Sequence, residues 1–253
     1  MGFPDVPRDK SRRGAKIREG KAKILYNTDP ESAYIIQYFK DDATAFNAQK
    51  RGTIHDKGVR NNSISGWVFS FLETKGIPTH FVKQLSDREM LVKRVDIIPV
   101  ETVVRNRATG SILKRLGLEK GAPITPPLVE YFYKSDALGD PLIGETHIEH
   151  FKWATPNELK EIHARALEVN AHLRRVFEEI GIDLVDFKLE FGRCAGTDRV
   201  LLADEFTPDG SRLWDLKTGE SLDKDRFRQD LGRVEEAYED VYQRLRTFFG
   251  KGI

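Results

Sequence analysis

Along residues 185–192 the side chains alternate strictly: Val185, Phe187, Leu189 and Phe191 take one parity, Asp186, Lys188 and Glu190 the other. Successive strand side chains point to opposite faces, so this pattern predicts a strand with an apolar back and three charges in front. Leu201, Leu202 and Ala203 make a second apolar run that ends in Asp204 and Glu205; residues 193–198 join the two, predicting a hairpin. Shorter strand-like runs occupy residues 16–26, around a glycine, and 33–39, 79–84, 90–95 and 100–104. The period changes to three and four at Ile64, Trp67, Val68, Phe71 and Leu72, an amphipathic helix stopped by Gly76 and Pro78, its aromatic stripe facing the core. Thr155-Pro156-Asn157-Glu158 is a capping box with proline at the first helical position. It opens a helix whose apolar face runs Leu159, Ile162, Ala166, Val169, Leu173, Val176 and Ile180, and a closing helix turns Phe227, Leu231, Val234, Tyr238, Val241, Leu245 and Phe248 inward.

A chain of 253 residues can bury a sizeable core, as one large domain or as two lobes sharing a cleft, and we expect two lobes. Residues 1–15 are rich in Pro, Arg and Lys without periodicity and read as a flexible basic arm. Lys plus Arg number 41 against 40 Asp plus Glu, a net charge of +1 that argues against a dedicated duplex-DNA binder. The single cysteine, Cys194, excludes an intramolecular disulfide and a cysteine metal cage. With no membrane-length apolar run and no signal-peptide core at residues 1–6, the expectation is a cytoplasmic protein without a membrane anchor.

The charged face of residues 186–190 has two readings: a sheet face turned to water, or a seat for a divalent cation and a phosphorylated ligand. A Pro208-Asp209-Gly210 turn delivers Arg212 and Asp215 beside the same hairpin, gathering charge of both signs. Gly20-Lys21-Ala22-Lys23 suits a triphosphate through exposed amides and lysine charge, or is a plain hairpin turn; its spacing is not that of a Walker loop. Residues 103–111 lead from a strand through Arg105 and Arg107 to Ser111 and a short helix, either an anion site or a capped helix with solvated arginines. His147 and His150 lack the zinc-protease spacing and are structural or solvent-exposed. Gly-x-Ser-x-Gly, Cys-x-x-Cys and Gly-x-Gly-x-x-Gly are missing, and Asp204-Glu205-Phe206 has no His-Arg-Asp loop to make it a protein kinase.

Taken in order, Gly20 to Lys23, Val100 to Ser111, Asp186 to Gly192 and Asp204 to Asp215 resemble the SAICAR synthetase family, phosphoribosylaminoimidazole-succinocarboxamide synthases, over about Lys16 to Leu245. The resemblance implies a two-lobed, ATP-grasp-like α/β (α+β) fold, with a small β-rich lobe over residues 16–96 clamping nucleotide against a larger mixed lobe over 97–253, and a homodimer. It implies an ATP-dependent ligase of purine biosynthesis joining carboxyaminoimidazole ribonucleotide (CAIR) to L-aspartate through an acyl phosphate, with Mg2+. By the same likeness Glu190 and Asp204 hold magnesium; Lys21, Ala22 and Lys23 line the phosphates of ATP, Lys93 to Val95 read adenine, and Lys134 stands near the nucleotide. Arg105, Ser111, Asp186 and Arg212 hold the ribonucleotide, while Lys188 steadies the carboxylate under attack. Asp42 and Thr44 match the segment tied to aspartate, although Phe46-Asn47 departs from the Gly-Asp of some members. Rival readings are a small-molecule kinase using the same acids and an RNA patch of the arm with Arg105, Arg107 and Arg115.

Overall fold

Alternating and three-four patterns resolve, in a computed structural model, into two antiparallel sheets and the helices that cover them; the structure describes residues 12–28, 33–45, 49–197 and 199–251. Strands β1 (Lys16–Glu19), β2 (Lys23–Asn27), β3 (Tyr34–Phe39), β6 (Phe81–Ser86) and β7 (Glu89–Lys93) form one sheet in the order β1-β2-β3-β7-β6. A separate hairpin pairs β4 (Asp42–Ala45) with β5 (Lys50–Thr53), and α1 (Lys57–Thr74) follows it. The larger sheet runs β10 (Leu142–Ile143), β9 (Pro123–Tyr133), β8 (Val95–Arg107), β11 (Ile182–Cys194), β12 (Val200–Ala203). The remaining elements are α2 (Ser111–Leu116), α3 (Glu145–His150), α4 (Pro156–Glu179), β13 (Ser211–Asp215), α5 (Asp225–Arg228) and α6 (Val234–Phe249). Of the expected arm, residues 1–11 lie outside the described residues; Arg13 rests over the rings of Tyr26 and Tyr38 and pairs with Glu89.

β11 is the axis of the larger sheet. One edge pairs with β8; the other pairs first with β13, along residues 182–187, and then with β12, along 190–193. The chain therefore leaves the sheet at Asp204 and re-enters at Ser211, with Glu190 opposite Ala203. Sequence parity leaves this register open, because a one-residue slip would invert every side chain; burial of Leu189 and Phe191 on the apolar face fixes it. The smaller sheet is tied to this point by backbone: His80 N–H donates to the Leu202 carbonyl at 2.8 Å and Leu202 N–H to that of Pro78 at 3.1 Å.

One apolar cluster runs through both sheets, joining Phe39, Met90 and Val92 to Val104, Phe187, Leu189 and Phe191, with α1, α4 and α6 contributing Phe69, Phe177 and Leu245. α1 reaches further than its apolar stripe, beginning at Lys57 and burying Lys57, Asn61, Asn62 and Ser65. Its first turn presses so closely on β3 that a Cβ at Gly58 would stand 2.4 Å from the Phe39 carbonyl oxygen. The strand expected over residues 100–104 is the middle of the 13-residue β8.

The closing helix departs from expectation. Phe227 belongs to the short α5 and Leu231 is 48% exposed; Asp230, Gly232 and Arg233 all take positive φ, so the long helix starts at Val234. Arg226 accounts for the break, donating to the carbonyls of Gly232 at 2.8 Å and Leu231 at 3.4 Å that a continuous helix would have used internally. At the far end Phe249 is buried and Phe248 only partly so.

Candidate functional site

The glycine-lysine turn and the late hairpin meet. Gly20 N–H closes the turn on the Lys23 carbonyl at 2.8 Å, which sets Lys23 at the start of β2. Its ammonium lies 2.5 Å from Asp204 Oδ1 and 3.4 Å from Glu205 Oε1. Asp204 follows β12 directly in the left-handed conformation, φ 63°, which Asp tolerates better than most residues and which turns the chain out of the sheet. Glu190, 2% exposed, receives Lys188 at 2.7 Å on one oxygen and Lys134 on the other. Glu101 stands directly across from Glu190 on β8, a like-charge pairing that would destabilise the sheet. Lys188 relieves it by donating to Glu101 as well, at 2.8 Å.

Burial opposes every charge here, and ion pairing decides the outcome. Burial raises the Asp204 carboxyl, but Lys23, Lys188 and Lys134 hold it well below the usual carboxylate range. Lys188 and Lys23 are both pushed up against their burial, by Glu190 and Glu101 in one case and by Asp204 and Glu205 in the other. Glu205 goes the other way, burial raising its carboxyl, and its buried Oε2 has no hydrogen-bond partner among the described residues. His80, 2% exposed, packs edge-on to Phe69, and burial and Lys23 push its imidazole down to about 3, so it is neutral. The solvated-face reading therefore fails, for Asp186 is 3% exposed and Glu190 2%.

Two hard oxygen donors that now carry ammonium groups suit magnesium, which takes one or two carboxylates and completes its shell with phosphate oxygens and water. Among the described residues no three His, Cys, Asp or Glu side chains converge as a self-sufficient cage. Lys21 extends the group outward, pairing with Asp136 at 2.6 Å just beyond Lys134 in sequence.

A second charged cluster grows from the front of β11 and β8. Asp186 Oδ2 receives Arg105 Nη1 at 2.8 Å and Arg212 Nη1 at 2.9 Å. Arg105 is 4% exposed and pairs also with Glu130, so it is no solvated arginine. Arg107 points elsewhere, to Asp183. Gly110, φ 66°, lies flat on the Arg212 guanidinium, where a Cβ would stand 2.9 Å from Nη2, and exposed Ser111 follows at the start of α2.

Residues 16–245 match the family model of SAICAR synthetase. The chain belongs to the SAICAR synthetase family. Membership makes it an ATP-dependent ligase of purine biosynthesis with the expected mixed α/β fold. The phosphoribosylaminoimidazole-succinocarboxamide synthase of Novosphingobium aromaticivorans is 60% identical over 235 residues, 92% of this chain and 90% of that one. The crystal structure of the Ehrlichia chaffeensis synthase superposes with a TM-score of 0.89 at 46% identity, covering 91% of this chain and 98% of its own. A type-2 SAICAR synthetase in complex with ADP gives 0.86 at 42% identity, over 90% and 96%.

The SAICAR synthetase residues named from sequence do not all gather in one place. Lys23, Lys134, Lys188, Glu190 and Asp204 share one network, and Arg105, Asp186 and Arg212 another. Lys93 ends β7, its ammonium 2.9 Å from the Thr79 carbonyl, and Val95 opens β8. Asp42 and Thr44 sit on the β4–β5 hairpin, Asp42 paired with Lys40 at 2.7 Å, and Phe46 and Asn47 lie outside the described residues. His147 is exposed and accepts from Gly144 N–H at 3.0 Å, a helix-capping role. Sequence reading missed Glu101, Glu130, Asp225 and His80, whose only local signal is a lone charge or ring, and it named Glu205 only as the second acid ending the hairpin. Asp209 lies in the turn read from the sequence, and its burial is what that reading did not reach. Asp209 is a buried acid receiving Lys57 at 2.6 Å, Asn61 at 3.1 Å and Tyr238 at 2.6 Å.

Proposed function

We propose that this ligase joins the carboxylate of CAIR to the amine of L-aspartate, giving SAICAR, ADP and phosphate through an acyl phosphate. The observation that carries the proposal is the 2.5 Å contact between Lys23 and Asp204, groups 181 residues apart that bring the glycine-lysine turn and the hairpin acids to one point. A carboxylate resists amine attack at neutral pH, and phosphorylation supplies a leaving group that the amine can displace. Glu190 and Asp204 hold Mg2+, which when bound neutralises charge on the phosphates. Lys23, Lys21, the Ala22 backbone and Lys134 face the triphosphate, and the backbone of Lys93 to Val95 receives adenine; the relative in complex with ADP supports a nucleotide site. Lys188, kept protonated by two glutamates, orients the CAIR carboxylate and stabilises the negative charge that develops there.

Arg105, Ser111 and Arg212 take the ribonucleotide phosphate, with Asp186 aligning the two arginines, and a related yeast synthase complexed with SAICAR agrees with a small-molecule partner of this kind. Aspartate approaches from the side of Asp42 and Thr44. The two sheets form the two lobes, residues 16–96 and 97–253, that clamp the nucleotide, and the working unit is a cytoplasmic homodimer. No helix of the described residues is long and apolar enough to cross a membrane.

Turnover with ATP, magnesium, CAIR and aspartate, each omitted in turn, tests the reading. ADP release together with a new amide, dependent on all four, is the expected result. Phosphotransfer that proceeds without aspartate would point instead to a small-molecule kinase. Glu190→Gln and Asp204→Asn should each abolish ADP formation while circular dichroism stays native, and full turnover in either variant refutes the metal assignment.

A further inference from the structure

Charged side chains of the larger sheet, α2 and α5 form an alternating chain that begins and ends in arginine. It starts with Arg115 on Glu130, passes through Arg105, Asp186 and Arg212, and closes with Arg228 on Asp225. Glu130 Oε2 receives Arg105 through Nε at 2.7 Å, and Asp225 Oδ2 receives Arg212 through Nε at 2.8 Å. Both arginines then send Nη1 to the same oxygen of Asp186, at 2.8 and 2.9 Å. A guanidinium is a planar fork of five N–H donors, so gripping its Nε and Nη1 edges fixes both its plane and its rotation. Among the described residues Nη2 of Arg105 and of Arg212 makes no hydrogen bond, and that of Arg212 lies beside Gly110.

The outer arginines matter for charge. Glu130 and Asp225 are buried, 8% and 7% exposed, and each would neutralise the inner arginine it holds were it not already paired outward, with Arg115 at 2.7 Å and Arg228 at 2.6 Å. Four guanidiniums against three carboxylates leave the row net positive, and each inner arginine keeps its Nη2 open.

We propose that Glu130 and Asp225 are positioning residues of the ligase, fixing Arg105 and Arg212 from behind so that their unused Nη2 edges receive the phosphate of the ribonucleotide. This rests on the assignment of Arg105 and Arg212 to that phosphate in the proposed function. The test uses the full chain, with ribose 5-phosphate as the binding probe in calorimetry and steady-state KM measured separately for CAIR and ATP. Glu130→Gln and Asp225→Asn keep side-chain shape but lose the charge that orients the fork. Each should weaken ribose 5-phosphate binding and raise the KM for CAIR by about tenfold to a hundredfold, with the KM for ATP moving by less than about twofold. Arg212→Ala is the control for the underlying assignment. Wild-type affinity for ribose 5-phosphate in Arg212→Ala sinks the phosphate assignment and the proposal with it. Lost binding in Arg212→Ala but wild-type binding and KM in both carboxylate variants sinks the positioning role alone. Equal losses in the KM for CAIR and for ATP, or unfolding of both carboxylate variants, would assign Glu130 and Asp225 to the framework and overturn it.

Discussion

Among the described buried acids outside the two charged networks, Asp209 receives the most side-chain donors. Its two oxygens receive an ammonium, an amide and a phenol from α1 and α6, while its backbone belongs to the turn that leads to Arg212. Burial raises its carboxyl, but Lys57 and the hydrogen bonds hold it well below the ordinary carboxylate range. A folded value below the unfolded one adds stability that is present above the unfolded pKa near 3.8 and is lost as pH falls through that range. Lys57→Met, removing the cation bonded to the buried Asp209 carboxylate, should cost about 3–5 kcal/mol. Tyr238→Phe, which removes only one neutral donor, should cost about 1–3 kcal/mol. Urea midpoints at neutral pH measure both, and equal losses would mean that the charge does not dominate. Nothing in the sequence around Lys57 distinguishes it from a solvated lysine, since its partner lies 152 residues away.

At the scale of elements, local chemistry was legible and its termini less so. The capping box of α4 is present as read: Thr155 Oγ1 accepts from Glu158 N–H at 3.2 Å and Glu158 accepts from Thr155 N–H at 2.7 Å. Arg193 on β11 adds a fork at 2.6 and 3.0 Å to the same carboxylate, anchoring the helix start to the sheet. This hydrogen bonding, Arg193 foremost, holds Glu158 down at about 2 from an ordinary 4.5. Because the folded value is the lower one, its stabilisation is in place above pH 4.5 and disappears as pH drops from 4.5 to 2. Water screens this partly exposed group, so Thr155→Ala and Glu158→Gln should each cost about 1 kcal/mol at neutral pH. Glu158→Gln should also flatten the acid limb of the stability profile; an unchanged limb would remove Arg193 and Glu158 from the acid response. The break before α6 was not legible, because Leu231 fits the helical period and only the Arg226 guanidinium, folded back onto the loop carbonyls, ends the pattern.

For the whole molecule the apolar cluster common to both sheets implies one cooperative unit. Phe206 stands at the junction, its ring 5.8 Å from that of Phe177 and 5.5 Å from that of Phe187, its backbone N–H on Ser65 of α1 at 3.3 Å. Phe206→Ala should lower stability by about 3–5 kcal/mol and leave a single unfolding transition by calorimetry; two resolved transitions would show that the sheets unfold separately. Magnesium and ADP at about a hundred times the dissociation constant should add about 2.7 kcal/mol to the wild type and markedly less to Asp204→Asn. What the sequence determined was every feature carried by neighbours along the chain: the alternation of β11, the α4 cap, the acid-tipped hairpin, and the ordered blocks that mark the family. What tertiary structure decided was which charges face which. Hairpin register, the ammonium of Lys23 on Asp204 and the two arginines on one oxygen of Asp186 join residues far apart in sequence. Burial alone made those pairings obligatory, for a charge removed from water must find its counterpart, and composition does not say where the counterpart lies.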